Sequence, residues 1–369
     1  MNELITDVAT RRLKEEIKAG LVEAMNSSPQ DKDGIREVLA DRRTERLRER
    51  YSELDTIERE FMDVVNVPID WENIDPAFRW VETSQERRIW DYTRNIVSSM
   101  PENAVIGRQM RFYLQDDNSK RWLGIVCLVS ALGYSSPRHK RLQWDSETKW
   151  THMNQILNIA VCVPIQPFGL LLGGKLLFVA SLSNEVRERY ERLYGDQLLA
   201  IETTSLYGKS SQYNRVKEFD YLGLTKGQGN VHVSAELYQK MMELLALHPS
   251  LDPIEGTTYE IPTNVKMRRV SKIARVVGLK EEGSAHGQRR GYYWGVTAEN
   301  SEAILRGNDE PPRFYDRPLE TLTSFWRERW YEMRLPKKQA EIEAFDPDIY
   351  LLDNNVAVED QGARQAWLF

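Results

Sequence analysis

A strand, a glycine-rich turn, a helix and a second strand follow one another between residues 158 and 203, and this order constrains the fold more than any other feature of the chain. Residues 158–164 form an apolar run that ends in proline, and residues 198–203 form another. Between them, residues 169–193 have the pattern of one long helix that begins among glycines. Strands that alternate with helices are typical of α/β proteins. The sequence therefore predicts an α/β fold, a mixed sheet flanked by helices.

Four segments are expected along the 369 residues, since a chain of this length exceeds one typical domain. Glu, Arg, Lys and Leu at helical spacing predict an N-terminal helical arm. The predicted segments are a helical arm and lead-in at 1–100, the α/β core at 101–235, a basic α+β extension at 236–338 and an acidic tail at 339–369.

The glycine-rich turn resembles the central element of the GNAT acyltransferase fold, in which a strand diverges from its neighbour and a helix N-terminus binds the pyrophosphate of an acyl-coenzyme A. The resemblance implies a mixed GNAT-like sheet and acyl-coenzyme A as cofactor. The matching positions are Val163, Gln166, Gly169, Gly173, Gly174 and Lys175. Leu171 departs from the pattern, because a small residue is usual there. A buried helix start, in which glycines permit close packing, explains the same residues equally well.

A second resemblance covers residues 199–229, within a longer similarity from about 105 to 235. It rests on Glu202, Thr203, Gly208, Tyr213, Asn214, Leu222, Gly223, Thr225 and Gly227. In this order the residues resemble the core of the Druantia DruA family of anti-phage defence proteins. The resemblance implies a role in phage–host conflict and names no reaction.

Glu202 is the strongest candidate for chemistry in the core. It follows an apolar strand, so burial is expected to raise its pKa and suit it to act as a general base. Tyr213 and Asn214 are expected in the same cleft as substrate-positioning groups. On this hypothesis Glu202→Gln abolishes activity with little loss of stability. The alternative is a carboxylate bonded to backbone N–H groups, with Tyr213 in the core and Asn214 as a helix cap.

The basic segment at residues 262–295 holds eight Lys and Arg against two acids, although the whole chain has a net charge of -6. Cations interleaved with aromatic residues suit phosphate contact and base stacking. The predicted contacts are Lys266, Arg269, Lys272, Arg275, Arg289, Arg290, Tyr292, Tyr293 and Trp294. The alternative is a solvated helix beside an aromatic hairpin. Nucleic acid is the expected partner, with DNA favoured over RNA.

The cysteines, the histidines and the length of the apolar runs indicate which classes of protein the chain can belong to. The two cysteines, Cys127 and Cys162, lie in apolar runs and predict reduced core residues of a cytoplasmic protein. The five histidines have no metal-ligand spacing, so no metal is predicted. No apolar run is long enough to predict a membrane span. Self-association or a protein partner is expected through the arm and the tail.

The leading hypothesis is a phage–host conflict protein that acts on nucleic acid, as a GNAT-like group-transfer enzyme that modifies a base. The alternatives are a non-catalytic nucleic-acid-binding or scaffold subunit with a degenerate acyltransferase fold, and a structural phage protein. Sequence patterns alone leave open whether the chain is an enzyme.

Overall fold

The structure is a computed structural model that describes residues 2–26, 32–98, 100, 107–206, 208–225, 233–253, 265–279 and 289–356. The chain divides into two compact units. The smaller unit combines Met1–Ile35 with Leu224–Arg290, and the larger unit combines Arg36–Gly223 with Gly291–Phe369. We call them the helical unit and the sheet unit.

The described α-helices are α1 Asn2–Asn26, α2 Lys32–Glu49, α3 Tyr51–Val65, α4 Ser84–Val97, α5 Ser136–Leu142, α6 Ser146–His152, α7 Gly173–Ala180, α8 Asn184–Tyr194, α9 Ala235–Leu247, α10 Val265–Val276, α11 Ser301–Leu305, α12 Leu319–Trp326, α13 Glu332–Glu343 and α14 Leu352–Val356. A π-helical stretch at Arg327–Tyr331 joins α12 to α13. Short 3-10 turns lie at Trp71–Asn73, Met153–Gln155, Phe168–Leu171, Pro249–Leu251 and Pro347–Tyr350.

The described strands are β1 Pro76–Trp80, β2 Gln109–Asp116, β3 Trp122–Ser130, β4 Ile156–Pro164, β5 Ala200–Ser205, β6 Phe219–Leu224 and β7 Gly291–Val296. They form one mixed sheet in the order β1-β2-β3-β4-β5-β7-β6. The β4–β5 pair is parallel, whereas β1 to β4 pair antiparallel in sequence order and β7 is antiparallel to β5. The predicted α/β class with a mixed sheet is confirmed.

The two faces of the sheet are covered by different helices because side chains alternate along each strand. On β5, Ile201 belongs to the large apolar cluster that includes α7 and α8, whereas Ala200 belongs to the cluster on the opposite face with α5 and α11. Helices α3 and α4 cover the other end of this second face. The sheet is therefore the middle layer, and a residue's position along a strand decides which helix layer it meets.

The helical unit forms because three helices share an apolar stripe. The shared core contains Ile17 and Leu21 on α1, Met241 on α9, Ile273 on α10 and Val277 just after α10. Spacings of three and four residues place such side chains on one helix face. Two segments that are far apart in the sequence thus build one small core.

Three boundaries differ from the sequence-based expectation. The long helix expected at 169–193 is interrupted, because Ser181 bonds back to Phe178 O and Ser183 caps the new helix α8. The expected arm is divided, since residues up to Ile35 belong to the helical unit and β1 lies within the sheet. The expected C-terminal extension is also divided, because β7 is inserted between β5 and β6.

Candidate functional site

The parallel strands β4 and β5 separate early. They pair from Ile156 with Ala200 to Asn158 with Glu202, and β4 then continues to Pro164 without β5. The separation begins where the register between β3 and β4 shifts and Ala160 is left unpaired. A bulge increases the local twist and bends its strand. The two strands therefore diverge after Asn158, five residues before Val163, the position at which the GNAT resemblance led us to expect the divergence.

The protein's own chain lies in the gap between these strands. The Gln212 side-chain amide donates to Cys162 O at 2.9 Å on β4. The Lys175 ammonium donates to Ser211 O at 2.7 Å and to Asn214 O at 2.5 Å. Burial first, and then the charge of Arg215, lower the Lys175 pKa to about 8. Lys175, which was expected to meet a cofactor, is thus engaged by the backbone of residues 211–214, and Gln212 occupies the Cys162 carbonyl.

The glycines of the turn face neighbouring side chains. A Cβ at Gly173 would lie 2.1 Å from the Phe168 ring, and one at Gly169 would lie 2.7 Å from the Gln166 amide. A Cβ at Gly174 would lie 3.1 Å from Gln212. Glycine is favoured at these three positions because neighbouring side chains pack closely against the backbone there.

The C-terminal helices complete the cover over this turn. The Trp326 indole donates to Leu172 O at 3.1 Å, and the Lys175 ammonium lies 5.2 Å from the Trp330 ring centroid. Val163 packs instead with the α3–α4 cluster on the other face of the sheet. Since a pyrophosphate needs open space at a helix start, the packing of Phe168 and Trp326 against this turn does not fit an acyl-coenzyme A.

Glu202 is fully buried, with 0% of its surface exposed, and all of its bonding is internal. One carboxylate oxygen accepts the Leu132 N–H at 3.0 Å, and the other accepts Arg138 at 2.7 Å and the Tyr292 hydroxyl. Arg138 also donates to Leu132 O. Burial, and next the charge of Glu202, raise the Tyr292 pKa. The carboxylate is a buried ion-pair partner that holds the loop after β3.

Tyr213 and Asn214 lie on the other face of the sheet from the Glu202 carboxylate. On β7, Tyr293 is opposite Thr203, and its hydroxyl donates to Asn214 Oδ1 at 2.9 Å. Tyr213 stacks against Phe178 with ring centroids 4.4 Å apart. The expected common cleft is therefore wrong, because successive residues of β5 face opposite layers. Burial is also the main cause of the raised Tyr213 pKa.

The aromatic residues predicted to stack on bases are inside the protein. Tyr292, Tyr293 and Trp294 are 0%, 1% and 2% exposed. They belong to β7, which is an inner strand between β5 and β6. The predicted stacking role is corrected for this reason, since a base needs an exposed ring face. Arg289 and Arg290, just before β7, are exposed.

The cations of α10 lie on two different sides of the helix. Arg269 pairs with Asp252 at 2.7 Å, and the Lys266 ammonium lies 4.8 Å from the Tyr238 ring centroid. Lys272 is half-buried, Arg275 is exposed, and Arg268, which the sequence analysis did not select, is exposed too. The four predicted contacts on this helix therefore do not share one face, because Lys266 and Arg269 follow the edge of the buried face that holds Ile273. The spacing of the apolar residues along α10 could have shown from the sequence which face of the helix is buried.

Among the described residues, no group of three or more His, Cys, Asp or Glu side chains is placed to hold a metal ion. Cys127 and Cys162 are buried free thiols, as predicted for core residues. In the described part of the chain, no helix is both long and apolar enough to cross a membrane.

Comparison with known proteins supports the resemblance that rests on Glu202, Gly208 and Asn214. The profile of the family described as Druantia protein DruA matches residues 29–307. A curated Druantia protein DruA from Escherichia coli (strain UMEA 4076-1) is 27% identical over 233 residues, which are 58% of this chain. The match covers 57% of that relative's length. No solved structure matches. Because the family profile spans well over half of the sequence, the chain belongs to the DruA family.

Proposed function

We propose that this chain acts in anti-phage defence as a nucleic-acid-binding protein whose GNAT-like sheet is a non-catalytic scaffold. Membership of the DruA family supports the defence role. The observation that carries the nucleic-acid part is the outward face of α10. The contacts in the gap between β4 and β5 support the non-catalytic part.

The outward face of α10 consists of Arg268, Lys272 and Arg275, at positions i, i+4 and i+7 of one helix. Residues four and three apart are neighbours on a helix surface. The helix has five cations and no acid, and the opposite face is buried through Ile273 and Val277.

None of the three outward cations has a carboxylate partner among the described residues, and Arg275 bonds only to Ser271 O at 3.4 Å. Unpaired cations on one helix face attract a polyanion, because each phosphate contact releases condensed counterions. The outward face of α10 is therefore the best-supported nucleic-acid contact, with DNA favoured over RNA as the sequence analysis expected.

The GNAT-like assignment is also part of the proposal. A parallel strand pair that separates beside a glycine-rich helix start supports it. In an active cofactor site this gap would receive the pantetheine arm, but Gln212 already bonds to Cys162 O of β4, and Lys175 is bonded to the backbone of residues 211–214. The arrangement favours the degenerate scaffold over the group-transfer enzyme.

To test nucleic-acid binding, the charges on the outward face of α10 are reversed. The variant Arg268→Glu, Lys272→Glu, Arg275→Glu is titrated with labelled duplex DNA at two salt concentrations by fluorescence anisotropy. We expect much weaker binding and a log–log salt slope that is smaller by about 0.9 for each phosphate that the variant no longer binds.

The matched control is Arg59→Glu, Arg192→Glu, Lys337→Glu, which changes the net charge equally on exposed cations of the sheet unit. Wild-type affinity in the control and weak binding by the α10 variant support a local contact. Equally weak binding by both variants, or no binding by the wild type at low salt, contradicts the proposal. Calorimetric titration with acetyl-coenzyme A tests the scaffold part, since saturable binding would restore the transferase hypothesis.

A further inference from the structure

The outward face of α10 presents hydrogen-bond donors. Ser271 lies beside Arg268, Lys272 and Arg275, because it stands three residues after the first of them on the same helix. Arginine and lysine side chains donate hydrogen bonds and accept none, whereas a serine hydroxyl can do both. Helix α10 contains no Asp, Glu, Asn or Gln. A ligand of this face must therefore offer acceptors.

The donors of this face are open to a ligand. Arg268 and Arg275 are exposed, and Lys272 is half-buried. Within the part of the chain that the structure describes, the Arg275 guanidinium bonds to Ser271 O at 3.4 Å, and no side-chain hydrogen bond of Arg268 or Lys272 occurs. The opposite side of the helix is buried through Ile273. A ligand on the outward face thus has no ion pair to break.

The described carboxylates of α9 and of the turn after it do not neutralise this face. Asp252 pairs with Arg269 at 2.7 Å, at the edge of the buried side of α10. On α9, Glu236 lies 3.6 Å from Lys240. Glu243 lies opposite the side of α9 that is buried with α10, because of the helical period. The outward face of α10 therefore keeps its positive charge.

The size of α10 suits the major groove of duplex DNA. A helix with its side chains is about 10–12 Å across, and the major groove is about 12 Å wide, whereas the minor groove is about 6 Å wide. Arg268 and Arg275 are separated by a rise of about 10 Å along the helix axis, which corresponds to about three base-pair steps. The major groove of an RNA duplex is too deep and narrow for side chains to read. These dimensions favour duplex DNA over duplex RNA.

The bases differ in what they offer to a donor in the major groove. Guanine presents two acceptors, N7 and O6, whereas adenine and cytosine each present an amino donor. Adenine is commonly read by Asn or Gln and cytosine by Asp or Glu, and α10 has none of these four residue types. A helix face of arginine and lysine donors therefore matches guanine.

We propose that α10 enters the major groove of duplex DNA and prefers guanine, with Arg268 and Arg275 as the residues that determine this specificity. Each guanidinium donates to N7 and O6 of a guanine, and Lys272 lies between them. The inference rests on the proposed function, because it concerns the same face of α10. It adds the class of DNA, the groove and the base that the face recognises.

The test uses the full chain and three labelled duplexes of equal length, by fluorescence anisotropy at one low salt concentration. The first duplex has a run of G·C pairs, and the second has A·T pairs only. The third repeats the first with 7-deazaguanine, which lacks the N7 acceptor but keeps the charge and the base pairing. Affinity for the A·T duplex should be lower by about fivefold or more, because one bidentate arginine–guanine pair has at least that effect. The 7-deazaguanine duplex should lose part of the same affinity.

Arg268→Ala with Arg275→Ala should bring the affinities for the three duplexes close together. The control Arg59→Ala with Arg192→Ala removes the same charge from exposed positions of the sheet unit and should keep the preference for guanine.

Three outcomes overturn this inference and leave the proposed phosphate contact in place. They are equal affinity of the wild type for all three duplexes, tightest binding to the A·T duplex, and a preference for guanine that survives in Arg268→Ala with Arg275→Ala. If the wild type binds no duplex, the proposed function fails first, and this inference fails with it.

Discussion

Replacing Glu202 by Gln should destabilise the sheet unit strongly. The carboxylate accepts three hydrogen bonds, from Leu132, Arg138 and Tyr292, and the Arg138 side chain is only 2% exposed. Glutamine keeps one oxygen and presents an N–H₂ donor where a donor already points. It also leaves the Arg138 charge buried without its counter-charge, a change that typically costs about 3–5 kcal/mol.

The measurement is urea unfolding followed by tryptophan fluorescence. All nine tryptophans that the structure describes belong to the sheet unit, so the signal reports the unit that contains Glu202. We expect the free energy of unfolding to fall by about 3–5 kcal/mol. Adding Arg138→Met to Glu202→Gln should cost less than Arg138→Met alone costs the wild type, because the two side chains are coupled.

The control makes the same chemical change in an exposed ion pair. Glu299 pairs with Arg313 at 3.2 Å, and their side chains are 67% and 58% exposed. Glu299→Gln should change the free energy of unfolding by less than about 1 kcal/mol. If Glu202→Gln were equally mild, the buried-pair argument would be refuted, and the original expectation of a general base with little structural cost would regain its place.

Two further predictions concern the glycine-rich turn. The folded pKa of Lys175, about 8, lies below the ordinary 10.5, so between these values the unfolded chain holds a proton that the folded chain lacks. Stability relative to Lys175→Met should therefore rise as the pH rises from 8 towards 10.5, whereas the same comparison with exposed Lys337→Met should stay flat. A flat profile for both would contradict the burial of the charge. Gly173→Ala would place a Cβ 2.1 Å from the Phe168 ring, and overpacking of this kind typically costs about 1–3 kcal/mol in thermal or urea unfolding. Gly133→Ala meets nothing within 4 Å and serves as the control, and Phe168→Leu should relieve the strain of Gly173→Ala. An unaffected Gly173→Ala protein would show that the turn has open space after all.

Local sequence patterns were sufficient to predict several helices and strands. The apolar run at residues 122–131 predicts a strand, and β3 is Trp122–Ser130. The apolar spacing at residues 235–247 predicts a helix, and α9 has those bounds. The order of motifs around Glu202 and Asn214 identified the family. Each of these inferences depends on residues that are close in the sequence.

The candidate site depended on contacts between distant residues. Glu202 meets Arg138 and Tyr292, which are 64 and 90 positions away in the chain. Neither the Glu-Thr at the end of the strand nor the residues around Arg138 indicate in the sequence that Glu202 and Arg138 form a pair. The same holds for Leu132, whose loop is fixed by a carboxylate on another strand.

The sequence by itself determined the α/β class, the family and the positions of several helices and strands, because periodicity and ordered motifs act locally. Only the tertiary structure decided which face of the sheet each candidate residue meets. The insertion of β7 between β5 and β6 puts Tyr292 on the side of Glu202 and Tyr293 on the side of Asn214. Strand alternation makes neighbours in sequence into residues of opposite layers, and long-range pairing chooses the layer.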